Sequence, residues 1–177
     1  MRIIGMILLA LAIVPVQAEV VAVGERGFIS EHRIELQATP AEAYTALTSK
    51  VSAWWDAAHS YSGEASNFSL DARAGGCFCE ALPNGGSVEH MRVVFAQPGH
   101  LLRMQGGLGP LQAMAVQGTM EFRFVPGAAG RTLLEYRYSV SGFTPAGLAP
   151  LAEPVDRVQL GQIERLAAYL SAAAGRP

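Results

Sequence analysis

The chain has 177 residues, half of them apolar and 16% charged, with 13 Lys and Arg against 15 Asp and Glu for a formal net charge of −2. That composition predicts one ordinary globular domain, and a near-balanced charge without runs of one sign excludes the basic footprint of a nucleic-acid binder. Lys50 is the only lysine and sits in no glycine-rich phosphate loop, which sets aside Schiff-base and P-loop chemistry.

The N-terminus opens with Met1-Arg2, an apolar run from Ile3 to Val16 and then Val16-Gln17-Ala18. A positive start, an apolar centre and a small-residue end predict a secretory signal over residues 1–18, cleaved after Ala18, and a mature domain over 19–177. The run is short of the roughly 20 residues a membrane-spanning helix needs, so no span is expected after signal removal. The expected location is periplasmic or secreted.

Alternation from Phe28 to Leu36 predicts a first strand, with Ile34 and Leu36 on one face and Arg33 and Glu35 on the other. Thr39-Pro40-Ala41-Glu42 is a helix start, with a hydroxyl cap, proline at the first position and a glutamate able to reach back to the cap. A short helix through Tyr44 and Leu47 follows. A second, capped by Ser52, carries Trp54 and Trp55, and a long loop spans His59 to Asn67. Strands are then expected over Gly76 to Leu82 and Ser87 to Ala96 around a tight Asn84-Gly85 turn, and over Leu101 to Gln105, Ala115 to Val125 and Leu133 to Val140. Glu135 and Arg137 share an outer face from which they can pair with Arg123 and Glu121. Val155, Val158, Ile163, Leu166 and Leu170 recur at helical spacing, predicting an amphipathic helix from Pro154 to Ala174. The layout is α+β: a curved antiparallel sheet wrapped around a long C-terminal helix.

That order, with Ala53-Trp54-Trp55, His59-Ser60-Tyr61-Ser62-Gly63, Gly75-Gly76-Cys77-Phe78-Cys79-Glu80, Glu89-His90-Met91, Gly107-Leu108-Gly109-Pro110-Leu111 and Pro154-Val155-Asp156, resembles the START-like or SRPBCC (polyketide cyclase-like) superfamily with its helix-grip fold. Several of these segments resemble its branch related to the activator of heat-shock-protein ATPase. The resemblance covers nearly all of residues 19–177. It implies an apolar cavity between sheet and helix for a small hydrophobic ligand. No cofactor is expected.

A two-residue loop at Asn84-Gly85 makes Phe78 oppose Met91, Cys79 oppose His90 and Glu80 oppose Glu89. Phe78, Glu80, Met91 and Val93 then share the apolar face, a register preferred because it pairs large apolar residues with one another. A three-residue loop would instead set Cys77 and Cys79 beside Met91 and Val93. The expected ligand-binding set is Trp55, Phe78, Glu80, Met91, Val93, Met120, Phe122, Tyr136, Tyr138 and Leu166, with both tyrosines read as core aromatics rather than catalytic phenols.

Binding without catalysis is the leading expectation. An alternative is a cyclase- or dehydratase-type enzyme in which desolvation raises the pKa of Glu80 and His59 or Tyr61 completes the polar group. Against it stands a simpler reading, with Glu80 half solvated near the hairpin end and His59 capping a loop. A third reading is a protein-interaction, co-chaperone-like module, which would need a broad exposed apolar patch. Cys77, Cys79 and His90 offer metal-binding atoms but no clear fourth ligand, so no metal is expected. Residues two apart on a flat strand lie about 6.6 Å apart, which predicts free or partly oxidised thiols with Cys79 beside His90.

Overall fold

The computed structural model describes residues 18–175, so the expected signal lies outside the described residues except for Ala18. Eight described strands form one antiparallel sheet: β1 (Ala18–Gly24), β2 (Gly27–Leu36), β3 (Phe68–Leu70), β4 (Cys77–Ala81), β5 (Ser87–Gln97), β6 (Leu101–Gln105), β7 (Ala115–Pro126) and β8 (Thr132–Phe143). Their order is β1-β2-β8-β7-β6-β5-β4-β3. Helix α1 (Pro40–Ser49) and helix α2 (Val51–Trp54) follow β2, and α3 (Ala149–Ala174) closes the fold. This is the expected helix-grip arrangement.

Local chemistry sets the ends of these elements. The capping box at α1 is complete: Thr39 Oγ1 accepts from the Glu42 amide at 3.4 Å, and Glu42 Oε2 accepts from the Thr39 amide at 2.9 Å. Helix α2 starts one residue earlier than its expected cap, so Ser52 lies inside it and the Lys50 side chain does not cap it. Helix α3 also starts earlier than expected, at Ala149, and carries Pro154 inside its second turn. A proline there forfeits a single backbone bond near the helix end, a loss that the packing of Ala152, Ile163, Leu166 and Leu170 in the core offsets.

The sheet has one dry and one wet face. Ile34, Leu36, Met120, Phe122, Phe124, Leu134, Tyr136 and Tyr138 are buried against α3 and α1. On the other face Arg123 lies opposite Glu135 and Glu121 opposite Arg137, but the closer partner of Arg137 is Glu31, and Glu121 pairs with Arg103 at 2.6 Å. Gly118 is required where β7 passes Tyr138, because a Cβ there would come within 2.4 Å of the phenol ring.

Candidate functional site

The site is assembled around the turn after α2. Trp54 Nε1 donates to the Ala46 carbonyl at 3.0 Å, and Trp55 Nε1 donates to the His59 carbonyl at 3.0 Å. The Asp56 amide donates to Gln162 Oε1 at 2.9 Å, and Arg165 Nε donates to the Trp54 carbonyl at 2.9 Å, so this turn is tied to α3. The segment expected as a loop over His59 to Asn67 includes two short 3-10 turns, Ala57–His59 and Ala65–Asn67, at its edges. Trp55 packs on Phe68 and Phe78 with ring centroids 5.2 Å away in each case.

The β4–β5 hairpin departs from its expected register. Phe78 faces Met91 as predicted, with Cys77 facing Arg92, but Cys79 faces Glu89 and Glu80 faces Val88. The turn has three loop residues, Pro83 to Gly85, with the Leu82 amide donating to the Gly86 carbonyl at 2.8 Å and Asn84 at φ 61°. A bulge at the Phe78/Cys79 step, with His90 as the extra residue on β5, restores the original pairing further along. Its consequence is that His90 and Met91 are both buried while Glu89 and Arg92 point outward. His90 therefore lies on the inner face beside Glu80 and not on the outer face beside Cys79.

Glu80 is 1% exposed, so it is not half solvated. Its Oε2 accepts from the Tyr61 amide at 3.1 Å and lies 2.9 Å from His90 Nε2, and its Oε1 accepts from the Ser62 amide at 2.5 Å. Burial pushes the Glu80 carboxyl up, but hydrogen bonds from Ser62, Tyr61 and His90 outweigh it and hold the group below the usual carboxylate range. The expected upward shift is thus reversed, because the loop aims two backbone amides at a carboxylate that a sequence shows only as buried. Burial lowers the His90 pKa, with the Glu80 carboxylate pulling the other way. The His90 ring stacks with Tyr61 at 5.8 Å and with Phe68 at 5.1 Å.

Beside His90 opens a pocket of about 510 Å³, within the range of small-molecule sites. Trp55, His59, Ser60, Tyr61, His90 and Leu108 to Pro110 line one side, and Leu151, Pro154, Val155, Val158 and Gln159 of α3 line the other. Deeper, between sheet and helix, Trp55, Phe78, Met120, Phe122, Ile163 and Leu166 enclose a space of only about 30 Å³, the share of one water. The two share Trp55, Leu108 and Gln159. The open volume is therefore at the mouth of the sheet–helix seam, over the N-terminal half of α3.

Of the residues singled out in the sequence, Trp55, His59, Tyr61 and His90 line the open pocket, and Phe78, Met120, Phe122 and Leu166 line the inner space. Glu80 stands behind His90. Met91, Val93, Tyr136 and Tyr138 are core residues outside both. Tyr136 donates to Gln159 Oε1 at 3.0 Å and Tyr138 to the Gly106 carbonyl at 3.2 Å, and burial pushes the Tyr138 phenol up to about 12. Sequence reading missed Leu108, Pro110, Leu151 and Gln159 as pocket residues. It also missed a second buried polar group, in which Ser30 Oγ donates to Asp156 Oδ1 at 2.5 Å and His32 Nε2 lies 2.9 Å from the same oxygen.

Cys77 and Cys79 form a disulfide, with Cα atoms 5.4 Å apart, which corrects the expectation of free thiols. The Cα distance is shorter than the flat-strand spacing of about 6.6 Å on which that expectation rested, so β4 is not flat across Cys77 to Cys79. The joined sulfurs are not available as thiolate ligands, and His90 has turned to the other face, so these three residues do not converge on a metal position.

No family model matches the chain, and no curated protein shows significant similarity to it. Solved structures do resemble it. A protein of Rhodobacter sphaeroides is similar at 20% identity and TM-score 0.56, over 89% of this chain and 99% of that one. Ara h 8.0201 is similar at 10% identity and TM-score 0.58, over 82% and 99%. The di-domain ARO/CYC StfQ from the steffimycin biosynthetic pathway is similar at 14% identity and TM-score 0.55, over 86% of this chain and 53% of its own. These likenesses show a shared fold.

Proposed function

We propose that the protein binds a small hydrophobic ligand in the pocket between α3 and the loops after α2 and β6. The observation that carries this is the open volume of about 510 Å³ walled mainly by apolar side chains, with a few polar side chains among them. The mature protein is proposed to be secreted or periplasmic. Met1-Arg2, the following apolar run and Val16-Gln17-Ala18 support that reading, as does a disulfide, which persists in oxidising compartments. The finer resemblance, to the branch related to the activator of heat-shock-protein ATPase, is proposed on the motifs that carry it, most of which border this pocket.

The test is titration of the folded chain with 1-methoxynaphthalene, read by calorimetry, beside a Val158→Trp variant that fills the pocket. Saturable binding weakened at least about tenfold by Val158→Trp supports the reading. Absence of binding, or binding indifferent to Val158→Trp, overturns it. Intact mass of secreted material beginning at Glu19 tests the address, and a chain retaining Met1 sinks it.

A second reading, acid–base catalysis of cyclase or dehydratase type, is favoured by one observation: the buried Glu80 carboxylate holds an imidazole at the pocket wall. Glu80 would act through His90 and not directly with His59 or Tyr61.

A further inference from the structure

Neutral His90 has one donor and one acceptor nitrogen, and Glu80 decides which is which. An ionised carboxylate only accepts, so the proton at the 2.9 Å contact belongs to His90 Nε2, and Nδ1 carries the lone pair. Nδ1 has no hydrogen-bond partner among the described residues. It is also not sealed, because the fully enclosed unpaired side-chain atoms are His32 Nδ1 and Tyr44 Oη.

Three other polar atoms on the pocket lining are already engaged. Tyr61 Oη donates to the Gly109 carbonyl at 3.0 Å, Ser60 Oγ donates to the Ala57 carbonyl at 2.8 Å, and Gln159 Oε1 accepts from Tyr136 at 3.0 Å. His59 also lines the pocket but is exposed, and Gln159 Nε2 only donates, so among the lining side chains the buried acceptor without a partner is His90 Nδ1. An acceptor left unpaired against an apolar ligand costs free energy, whereas a ligand hydroxyl would satisfy it.

We propose that His90 Nδ1, positioned by Glu80, is the acceptor that recognises a hydroxyl group on the ligand, so that the pocket selects apolar molecules bearing a phenol, enol or alcohol. This rests on the pocket reading given under Proposed function. Glu80 acts as a positioning residue: Tyr61 and Ser62 hold its carboxylate, and the carboxylate fixes the His90 tautomer.

The test compares 1-naphthol with 1-methoxynaphthalene, which share an aromatic body but differ in the ability to donate. The wild-type chain should bind 1-naphthol about fivefold to tenfold more tightly. His90→Phe, which keeps an aromatic ring beside Tyr61 and Phe68, should erase the preference, so that the two probes bind within about twofold of each other. Nitrogen NMR of the histidine-labelled wild-type chain gives a readout that does not depend on the variant folding: His90 should be protonated at Nε2, and its Nδ1 resonance should move when 1-naphthol is added. Equal affinity for the two probes, or a proton on Nδ1 at neutral pH, overturns the inference while leaving the pocket reading in place. Failure of both probes to bind overturns the pocket reading and this one with it.

Discussion

The molecule contains two buried histidines, each within 2.9 Å of a carboxylate oxygen, and they differ in what surrounds the second ring nitrogen. His32 on β2 meets Asp156 of α3, shares it with Ser30, stacks on Tyr136 and has Nδ1 sealed without a partner. His90 on β5 meets Glu80 of β4 and borders an open pocket. Ser30, His32 and Asp156 bring together the residue types of a nucleophilic triad. Yet both hydroxyl and imidazole address the carboxylate, and Ser30 and His32 are 0% and 2% exposed, so no substrate reaches them. That group pins α3 to the sheet. Burial and a carboxylate partner are common to both pairs, and access to the remaining nitrogen is what separates a fastener from a binding group.

The largest expected effect tests that division from the fastener side. Asp156→Ala removes the partner of two enclosed groups and should cost about 3 kcal/mol of stability, read from urea unfolding. Probe binding by the fraction still folded should change little. If Asp156→Ala weakened the preference for 1-naphthol as strongly as His90→Phe, the contrast would fail.

Acid should act on both pairs at once. Burial lowers the pKa of His32 from 6.5 against the pull of Asp156 and Glu164, and lowers that of His90 against the pull of Glu80, with the Tyr61 ring stacked on it and His59 elsewhere on the same pocket lining. Below pH 6.5 the unfolded chain therefore takes up protons that the folded chain refuses, and stability falls with pH by at most about 1.4 kcal/mol per unit for each histidine. Glu80 and Glu42, both held below 4.5, contribute stability that is present above that value and is lost as pH falls through their folded pKa values. Urea midpoints from pH 7.5 to 4 should fall throughout, and replacing His32 and His90 together should flatten the upper part of the curve. An unchanged slope between pH 6.5 and 5 would contradict the neutral state assigned to both rings.

Next in size is the disulfide, which touches only one of the two regions. Closing so short a loop contributes about 1.5 kcal/mol on the chain-entropy account, and intact mass without reductant should show a two-proton deficit. Reduction should raise amide exchange on β4 and β5 around His90 while β2 and α3 around His32 stay protected. Equal loosening at both sites would mean that the disulfide supports the whole fold and not the hairpin around His90.

The contrast also marks what sequence could and could not show. Period-two alternation was enough for β2, β7 and β8, and Thr39-Pro40-Ala41-Glu42 was enough for α1, because each signal is local and repeated. The hairpin turn was legible as a place but not as a register. A trace of the bulge lies in β5 itself, where apolar residues fall at Val88, then Met91 and Val93, so the alternation changes phase across Glu89 and His90. Reading that phase change turns His90 inward beside Glu80, but it lies on the strand opposite the cysteines and gives no sign of their bond. Asp156 gave no such sign, since one acidic residue on an amphipathic helix looks solvated until Ser30 and His32, more than a hundred positions away, are placed beneath it.

The smallest expected effect is at the very next residue. Arg157 follows Asp156 on α3 and pairs with Glu153 one turn back at 2.7 Å, a contact shorter in sequence and no longer in space than the His32–Asp156 contact. Both side chains are about three-quarters exposed, so water and salt screen the attraction, and ordering two long side chains offsets most of what is left. Arg157→Ala should therefore lower stability by no more than about 0.5 kcal/mol, and the difference should vanish in 1 M salt. A loss approaching that of Asp156→Ala would mean that helix charge itself, and not enclosure of the Ser30–His32–Asp156 group, fastens α3 to the sheet.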